Sequence, residues 1–332
     1  MEKKELIRYV FASSNTSQGF HTFIPDLIAD LEKVYILKGA PGTGKSTFIR
    51  TIWEMMLKQG FEVEFWISAL ETLSPDGVYL PQLGIAVVNG SLPQPIDPKY
   101  PGAKEYLVNM DECWDKASIE ARYQEIIQLV DVVDFFRSKA YQTLREASRV
   151  KANIRRIYSA YLNMGNLEDL IESLAAEILE KPCQDKHYYA SIITADGLSN
   201  YIDELSQGCR QRYILKGPSG SGKSTLITEL ARRARQRGFF LEYYHCGLDA
   251  DSLVMLIIRN LQVALVEAGE IEIIPRPADV VVDMNSCLDN YNQELIANHV
   301  NQSYRDLESL LYQAQQELAN VEQGLKEIKK IF

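Results

Sequence analysis

The stretch VYILKGAPGTGKSTFI, residues 34–49, sets a β-branched and aromatic strand against a loop of three glycines, followed by an apolar run of helical period. The spacing Gly-x-x-x-x-Gly-Lys-Ser over Gly39 to Ser46 has a mechanical reason at each fixed place. Glycines let backbone N–H groups wrap a phosphate chain, the lysine offsets its charge, and the hydroxyl holds a divalent cation. The same order returns 178 positions later as RYILKGPSGSGKSTLI, residues 212–227, without a gap.

The match extends outward on both sides. FASSNTSQGF (11–20) lies over YASIITADGL (189–198), Gly60-Phe61 over Gly238-Phe239, Glu64 over Glu242, and Leu70 over Leu248. IAVVN (85–89) lies over VALVE (263–267), after which the second copy is four residues shorter before NMDECWD (109–115) meets DMNSCLD (283–289). A repeat of this length implies duplication. The halves are 1–181 and 182–332, with the boundary near Lys181-Pro182.

Each half predicts a short strand (8–13; 187–192), a helix (25–31; 201–206), and the strand that feeds the glycine-rich loop. A helix follows (45–58; 223–237), stopped by Gly60 or Gly238, then a second strand (61–67; 239–245) and an apolar third (85–89; 263–267). Strands alternating with helices predict an α/β fold, in each half a parallel sheet with helices on both faces. With the Gly-x-x-x-x-Gly-Lys-Ser motif set between strand and helix in each, the expectation is two duplicated P-loop NTPase domains. The stretches 70–81 and 248–257 read as loops. Long charged helical patterns at 116–180 and 290–331 read as one appended segment per half, either a cover over the sheet or a docking element for a protein partner.

Composition bounds the classes. With 332 residues, 46% hydrophobic and 24% charged, the chain has the make-up of a packed globular protein with room for two domains. The longest apolar stretch, 253–266, is broken by Arg259, Asn260 and Gln262, so no membrane span is expected. Cys113, Cys183, Cys209, Cys246 and Cys287 are scattered, which points to a reduced, cytoplasmic protein without a zinc site. A net charge of -10 argues against a nucleic-acid partner. Arg137, Lys139, Arg145, Arg149, Lys151, Arg155 and Arg156 read as a solvated or acid-facing helix face. Arg232, Arg233, Arg235 and Arg237 read as cations offsetting a helix C-terminus.

The expected ligand-binding residues are Gly39, Ala40, Pro41, Gly42, Thr43, Gly44, Lys45, Ser46 and Thr47 in the first loop. Gly217, Pro218, Ser219, Gly220, Ser221, Gly222, Lys223, Ser224 and Thr225 are their counterparts in the second. Ser46 and Ser224 are the expected Mg²⁺ ligands, and an acid at the end of a neighbouring strand should complete each site. Glu267 meets that requirement as metal ligand and catalytic group, whereas its counterpart Asn89 is neutral. The second loop, with Lys223 and Glu267, is therefore expected to be the hydrolytic one. The first, with Lys45, is expected mainly to bind nucleotide unless Asp76, Glu71 or Asp111 substitutes. Pro275-Arg276-Pro277 and Pro98-Lys99-Tyr100-Pro101 set cations on rigid turns, where Arg276 or Lys99 could meet a transferring phosphate or simply face water. His245-Cys246 ends a strand, with no second His or Cys close in sequence to make a metal site.

GAPGTGKST resembles the P-loop of AAA-type ATPases, and the doubled layout, over nearly the whole chain, resembles a family of uncharacterised tandem P-loop ATPases of bacteria. The resemblance implies ATP with Mg²⁺ and an ATPase activity. It also implies a third strand ending in Asp-Gly, from which Asn89-Gly90 and Glu267-Ala268 depart, and a His-Cys pair, from which Ile67-Ser68 departs. A small-molecule or nucleotide kinase, with 70–81 and 248–257 forming an acceptor pocket, and a nucleotide-dependent switch without catalysis are the alternatives.

Overall fold

The computed structural model describes residues 6–71, 74–113, 116–178, 185–269, 273–289 and 293–331. The first half begins with β1 (Ile7–Val10), the hairpin β2 (Ser13–Thr16) and β3 (Gly19–Thr22), and the short helix α1 (Ile24–Ile28). It continues through β4 (Lys33–Lys38), α2 (Lys45–Lys58), β5 (Val63–Ile67), β6 (Pro75–Leu80), β7 (Ile85–Asn89) and β8 (Glu105–Asn109). Three helices follow: α3 (Lys116–Ala121), α4 (Tyr123–Ser159) and α5 (Met164–Ile178). The second half repeats the order as β9 (Lys186–Tyr189), β10 (Ser191–Thr194), β11 (Gly197–Asn200), α6 (Ile202–Leu205), β12 (Gln211–Lys216) and α7 (Lys223–Gln236). Then come β13 (Leu241–His245), β14 (Leu253–Ile258), β15 (Val263–Ala268), β16 (Val280–Asp283) and the long α8 (Gln293–Lys329). The boundary expected at Lys181-Pro182 lies outside the described residues.

The protein is α/β, with two similar six-stranded sheets ordered β1-β5-β6-β7-β4-β8 and β9-β13-β14-β15-β12-β16. In the first, β1 runs parallel to β5, and β4 runs parallel to β7 and β8. The sheets are mixed, not wholly parallel as the alternation of elements suggests, because β6 and β14 run antiparallel to both neighbours. β6 falls inside a stretch that reads as a loop, 70–81, and β14 overlaps the other, 248–257, and runs one residue past it. Pro75 and Gly77 look like breakers, yet Pro75 is the first residue of its strand, where a missing N–H is tolerated. Gly77 makes room for the Trp66 ring, whose Cε3 would stand 2.6 Å from any Cβ there. In the second copy the long apolar run 253–266 is two strands folded back on each other. The turn is at Arg259–Leu261 with Gln262 as its cap, where the polar residues that interrupt the run are placed.

α2 packs on its sheet through Ile49, in a cluster with Leu37, Val63, Val78, Leu80 and Val87. α7 buries more, with Leu226, Ile227, Leu230, Ala231 and Ala234 all inside, because Leu167, Ile171, Leu174 and Ala175 of α5 join its cluster. Phe48 of α2 is 41% exposed, while Leu226, its counterpart, is fully buried.

The compact units are not the two halves. One holds Met1–Gln142, Ile192–Ser199 and Gln313–Phe332, and the other holds Thr143–Ser191 and Asn200–Tyr312. Each sheet stays within its own half, but the two 37-residue helices are divided, α4 after residue 142 and α8 after residue 312. Amphipathic periodicity finds such helices and carries no information about which sheet their ends join. Among the described residues no helix is long and apolar enough to cross a membrane.

Candidate functional site

The two glycine-rich loops have nearly the same backbone. Gly39, Gly42 and Gly44 have φ of 153°, 96° and 85°, and Gly217, Gly220 and Gly222 have 158°, 92° and 90°. Gly44 and Gly222 cap α2 and α7 in the left-handed region, which costs a residue with a Cβ roughly 1–2 kcal/mol. In each loop the lysine folds back on the loop itself. Lys45 Nζ donates to the carbonyls of Gly39 and Ala40, and Lys223 Nζ to those of Gly217 and Pro218, all at 2.7 Å.

Around the first loop, in its own unit, there is room. It opens into a cavity of about 470 Å³ lined by Pro41, Gly42, Gly44, Lys45, Ser46 and Thr47 of the loop. Glu71, Ser74, Asp76, Asn89, Arg137 and Lys329 also line it. A Cβ on Gly44 would meet nothing within 4 Å. Asp111 braces the loop from behind, accepting from the Ala40 N–H at 3.1 Å. Burial pushes the Lys45 ammonium down to about 8, with the Asp111 charge opposing the shift and the Lys329 charge adding to it.

Asp76 is the buried acid of this cavity. It is 1% exposed, and its Oδ2 has no hydrogen-bond partner among the described residues. Burial pushes its carboxyl up to about 6, against the Ser68 and Ser13 hydrogen bonds and with the Glu71 charge adding to the rise. β6 pairs antiparallel with β7 as far as Gly77↔Val88. Asp76, the residue before, is skipped where β6 slips against β5, between Trp66↔Gly77 and Ile67↔Pro75. An irregularity of this kind re-aims a side chain, and Asp76 lines the same cavity as Asn89, one strand to the side. In the second half the repeat sets Val254 at that place, skipped in the same way between Tyr244↔Met255 and His245↔Leu253.

Around the second loop, in the other unit, the space is filled. A Cβ on Gly220 would stand 2.3 Å from the carbonyl oxygen of Arg155 and 3.0 Å from Ser159 Oγ, and one on Gly222 would stand 2.9 Å from Leu167 Cδ2. Ser221 is fully buried, and its Oγ has no partner among the described residues. Lys223 Nζ lies 3.5 Å from Glu267 Oε1. The hollow beside this loop, about 320 Å³, is lined by Ser224, Thr225, Thr228, Glu229, Asp251 and Leu253, and by neither Lys223 nor a glycine.

The remaining expected residues fall elsewhere. Arg276 serves α6: its guanidinium donates to the carbonyls of Asp203 (2.6 Å) and Ser206 (3.0 Å) at the end of that helix. Such bonds satisfy carbonyls left open where a helix stops. Lys99 Nζ lies over the ring of its neighbour Tyr100, 5.2 Å from the centroid. His245 gains a partner that sequence distance hides, since β9 runs beside β13 and sets His187 Nδ1 2.8 Å from His245 Nε2. His245 Nδ1 faces the Ala250 carbonyl, an acceptor only, so the second His completes a hydrogen-bonded chain. Among the described residues no group of three or more His, Cys, Asp or Glu could hold a metal ion. Several basic residues of α4 and α7 face carboxylates, as Arg137 with Asp134, Lys139 with Glu317, and Arg232 and Arg233 with Glu229.

The chain was compared with family models, with curated proteins and with solved structures, and none matches. The resemblance noted from the sequence thus rests on the motif residues and layout alone. Arg137 and Lys329 of the first cavity carry no local motif and come from helices far along the chain. The cation-rich stretch of α4 signalled the one, and nothing local signalled the other.

Proposed function

We propose that the chain is a P-loop nucleoside-triphosphate-binding protein built by duplication, that its ligand is Mg-ATP, and that Gly39–Ser46 is its principal site. The observation that carries this is the first loop's own cavity. Gly44 is open, and a buried acid whose Oδ2 has no hydrogen-bond partner among the described residues lines the same space. Structural carboxylates buried to this degree ordinarily have their oxygens paired, so an unpaired one beside a phosphate-type loop favours a functional reading.

In this reading the loop N–H groups and Lys45 hold the phosphate chain, and Ser46 with Asp76 would hold Mg²⁺. When bound, Mg²⁺ would offset charge on the terminal phosphates. Asp76 then takes the acid's part that Asn89 cannot play, either on the cation's water or on the attacking water. ATP hydrolysis is the reaction this set supports. The preference that Glu267 gave to the second loop yields here to access, since Lys223 and Glu267 are engaged with each other beneath a covered loop. Of the stretches named for the kinase alternative, 75–80 and 253–258 are strands.

A second reading is favoured by the cover itself. If helix α4 and residues 162–167 withdraw from Gly220 and Gly222, the second loop becomes a nucleotide-dependent switch. Calorimetry with Mg-ATP decides between them. One equivalent per chain, lost in Lys45→Ala and kept in Lys223→Ala, supports the first loop as principal site. Binding lost only in Lys223→Ala would reverse the assignment, and no binding at all would end the nucleotide reading.

A further inference from the structure

The two halves repeat more than their loops. Past the four-residue gap their alignment sets Arg155 over Lys329, and before the gap it sets Glu71 over Asp249. In one unit Lys329 Nζ lies 2.5 Å from Glu71 Oε2, and in the other Arg155 Nη2 lies 3.5 Å from Asp249 Oδ2. One cation-to-acid pair therefore occurs twice, each time between the end of a long helix and the residues that follow β5 or β13.

In the open cavity this pair is not a surface accident. Lys329 and Glu71 both line it together with Lys45, Asp76 and Arg137. Arg137 gives Nη1 to Asp134 at 2.6 Å, and its buried Nε has no partner among the described residues. Lys329 is close enough for its charge to act on Lys45. Three cations converging on one cavity suit an anion longer than a single phosphate group, and a lysine on a flexible four-carbon stem can exchange one oxyanion partner for another.

We propose that Lys329 is the residue that distinguishes a triphosphate from a diphosphate, turning from Glu71 to the terminal phosphate group of the bound nucleotide. The inference rests on the first loop being the nucleotide site. A phosphate group carries more charge than a carboxylate, so the exchange is favourable only when a third phosphate is present. It also ties the end of α8 to the state of the nucleotide, because Lys329 is the last residue of that helix.

The test is calorimetry on the full chain with Mg-ADP and with a non-hydrolysable Mg-ATP analogue. Lys329→Gln should weaken the triphosphate analogue about tenfold or more and leave ADP within about twofold, and Lys329→Arg should restore the difference. Glu71→Gln, which frees Lys329, should tighten the analogue without changing ADP. It serves as the readout if Lys329→Gln does not fold. Equal changes for both nucleotides, or none in either variant, would overturn the proposal. Lys45→Ala separates the two levels: if it abolishes both nucleotides while Lys329→Gln and Glu71→Gln do nothing, the inference alone fails. If Lys45→Ala leaves both unchanged, the site reading fails and the inference with it.

Discussion

Gly39–Ser46 and Gly217–Ser224 share a backbone, glycine for glycine, and differ in what stands against them. The first faces a cavity of about 470 Å³ with a buried, half-satisfied Asp76. The second faces the Arg155 carbonyl, Ser159 and Leu167. A loop's conformation and its accessibility are thus separate properties. Spacing of three glycines before a helix sets the one, and residues some sixty places away set the other. The difference also inverts the value of the acids: Glu267 sits where a strand-end acid is expected but lies 3.5 Å from Lys223 Nζ, while Asp76 sits one strand aside with its Oδ2 unpaired among the described residues.

The largest effect expected from this contrast is on binding. Lys45→Ala should weaken Mg-ATP about a thousandfold, since its charge-assisted contacts to phosphate are lost, while Lys223→Ala should change it less than about twofold. Equal losses in calorimetry would erase the distinction between the loops.

Next is the strain stored at Asp76. Its carboxyl is pushed up to about 6 by burial, so the folded state disfavours its charge. That cost is present in full above pH 6 and disappears as pH falls through 6 towards the ordinary carboxylate value. Asp76→Asn should therefore stabilise the protein at pH 8 by up to about 3 kcal/mol and by little at pH 4, as urea denaturation would read. The same variant should lose phosphate release from ATP. A variant that is neutral at pH 8 and keeps its turnover would remove Asp76 from the site.

Smaller still is the difference between two equivalent glycines. Gly44→Ala should cost about 1–2 kcal/mol through its left-handed backbone alone. Gly222→Ala meets Leu167 as well and should cost roughly 1–3 kcal/mol beyond that. Matching losses in urea melts would mean that the second loop is not covered in solution.

The smallest effect is a titration. Lys45, pushed down to about 8 mainly by burial, is charged below that value and neutral above it. Phosphate binding raises its affinity for a proton, so Mg-ATP affinity should be flat below pH 7 and fall by up to about tenfold per pH unit above 8. Proton uptake on binding at pH 9, measured from the buffer dependence of the calorimetric heat, checks the sign.

Much of the sheet framework was legible because it is local. The helix at 45–58 and the strands around it follow from hydrophobic period, glycine stops and the repeat itself. The antiparallel β6 was hidden because Pro75, Asp76 and Gly77 resemble a turn, and only the Trp66 ring from the neighbouring strand explains Gly77. Asp76 could be named as a substitute acid without any means of placing it, since its value comes from lining one cavity with Asn89 of the neighbouring strand. At Arg276 the flanking prolines suggested a cation facing a phosphate or water, and the partners it has, the carbonyls of Asp203 and Ser206, could not be read from them.

The sequence by itself determined the backbone of both loops, the helices that follow them and the doubling of the sheet. Each depends on residue types within about a dozen positions, where steric limits on φ and side-chain period act directly. Only the tertiary structure decided which loop is open, which acid faces it, and that Lys329 and Arg137 stand with Lys45. Those outcomes depend on which residues of α4, α5, α8 and β6 stand against each loop. Periodicity specifies which face of a helix is buried, and it leaves open what that face will meet.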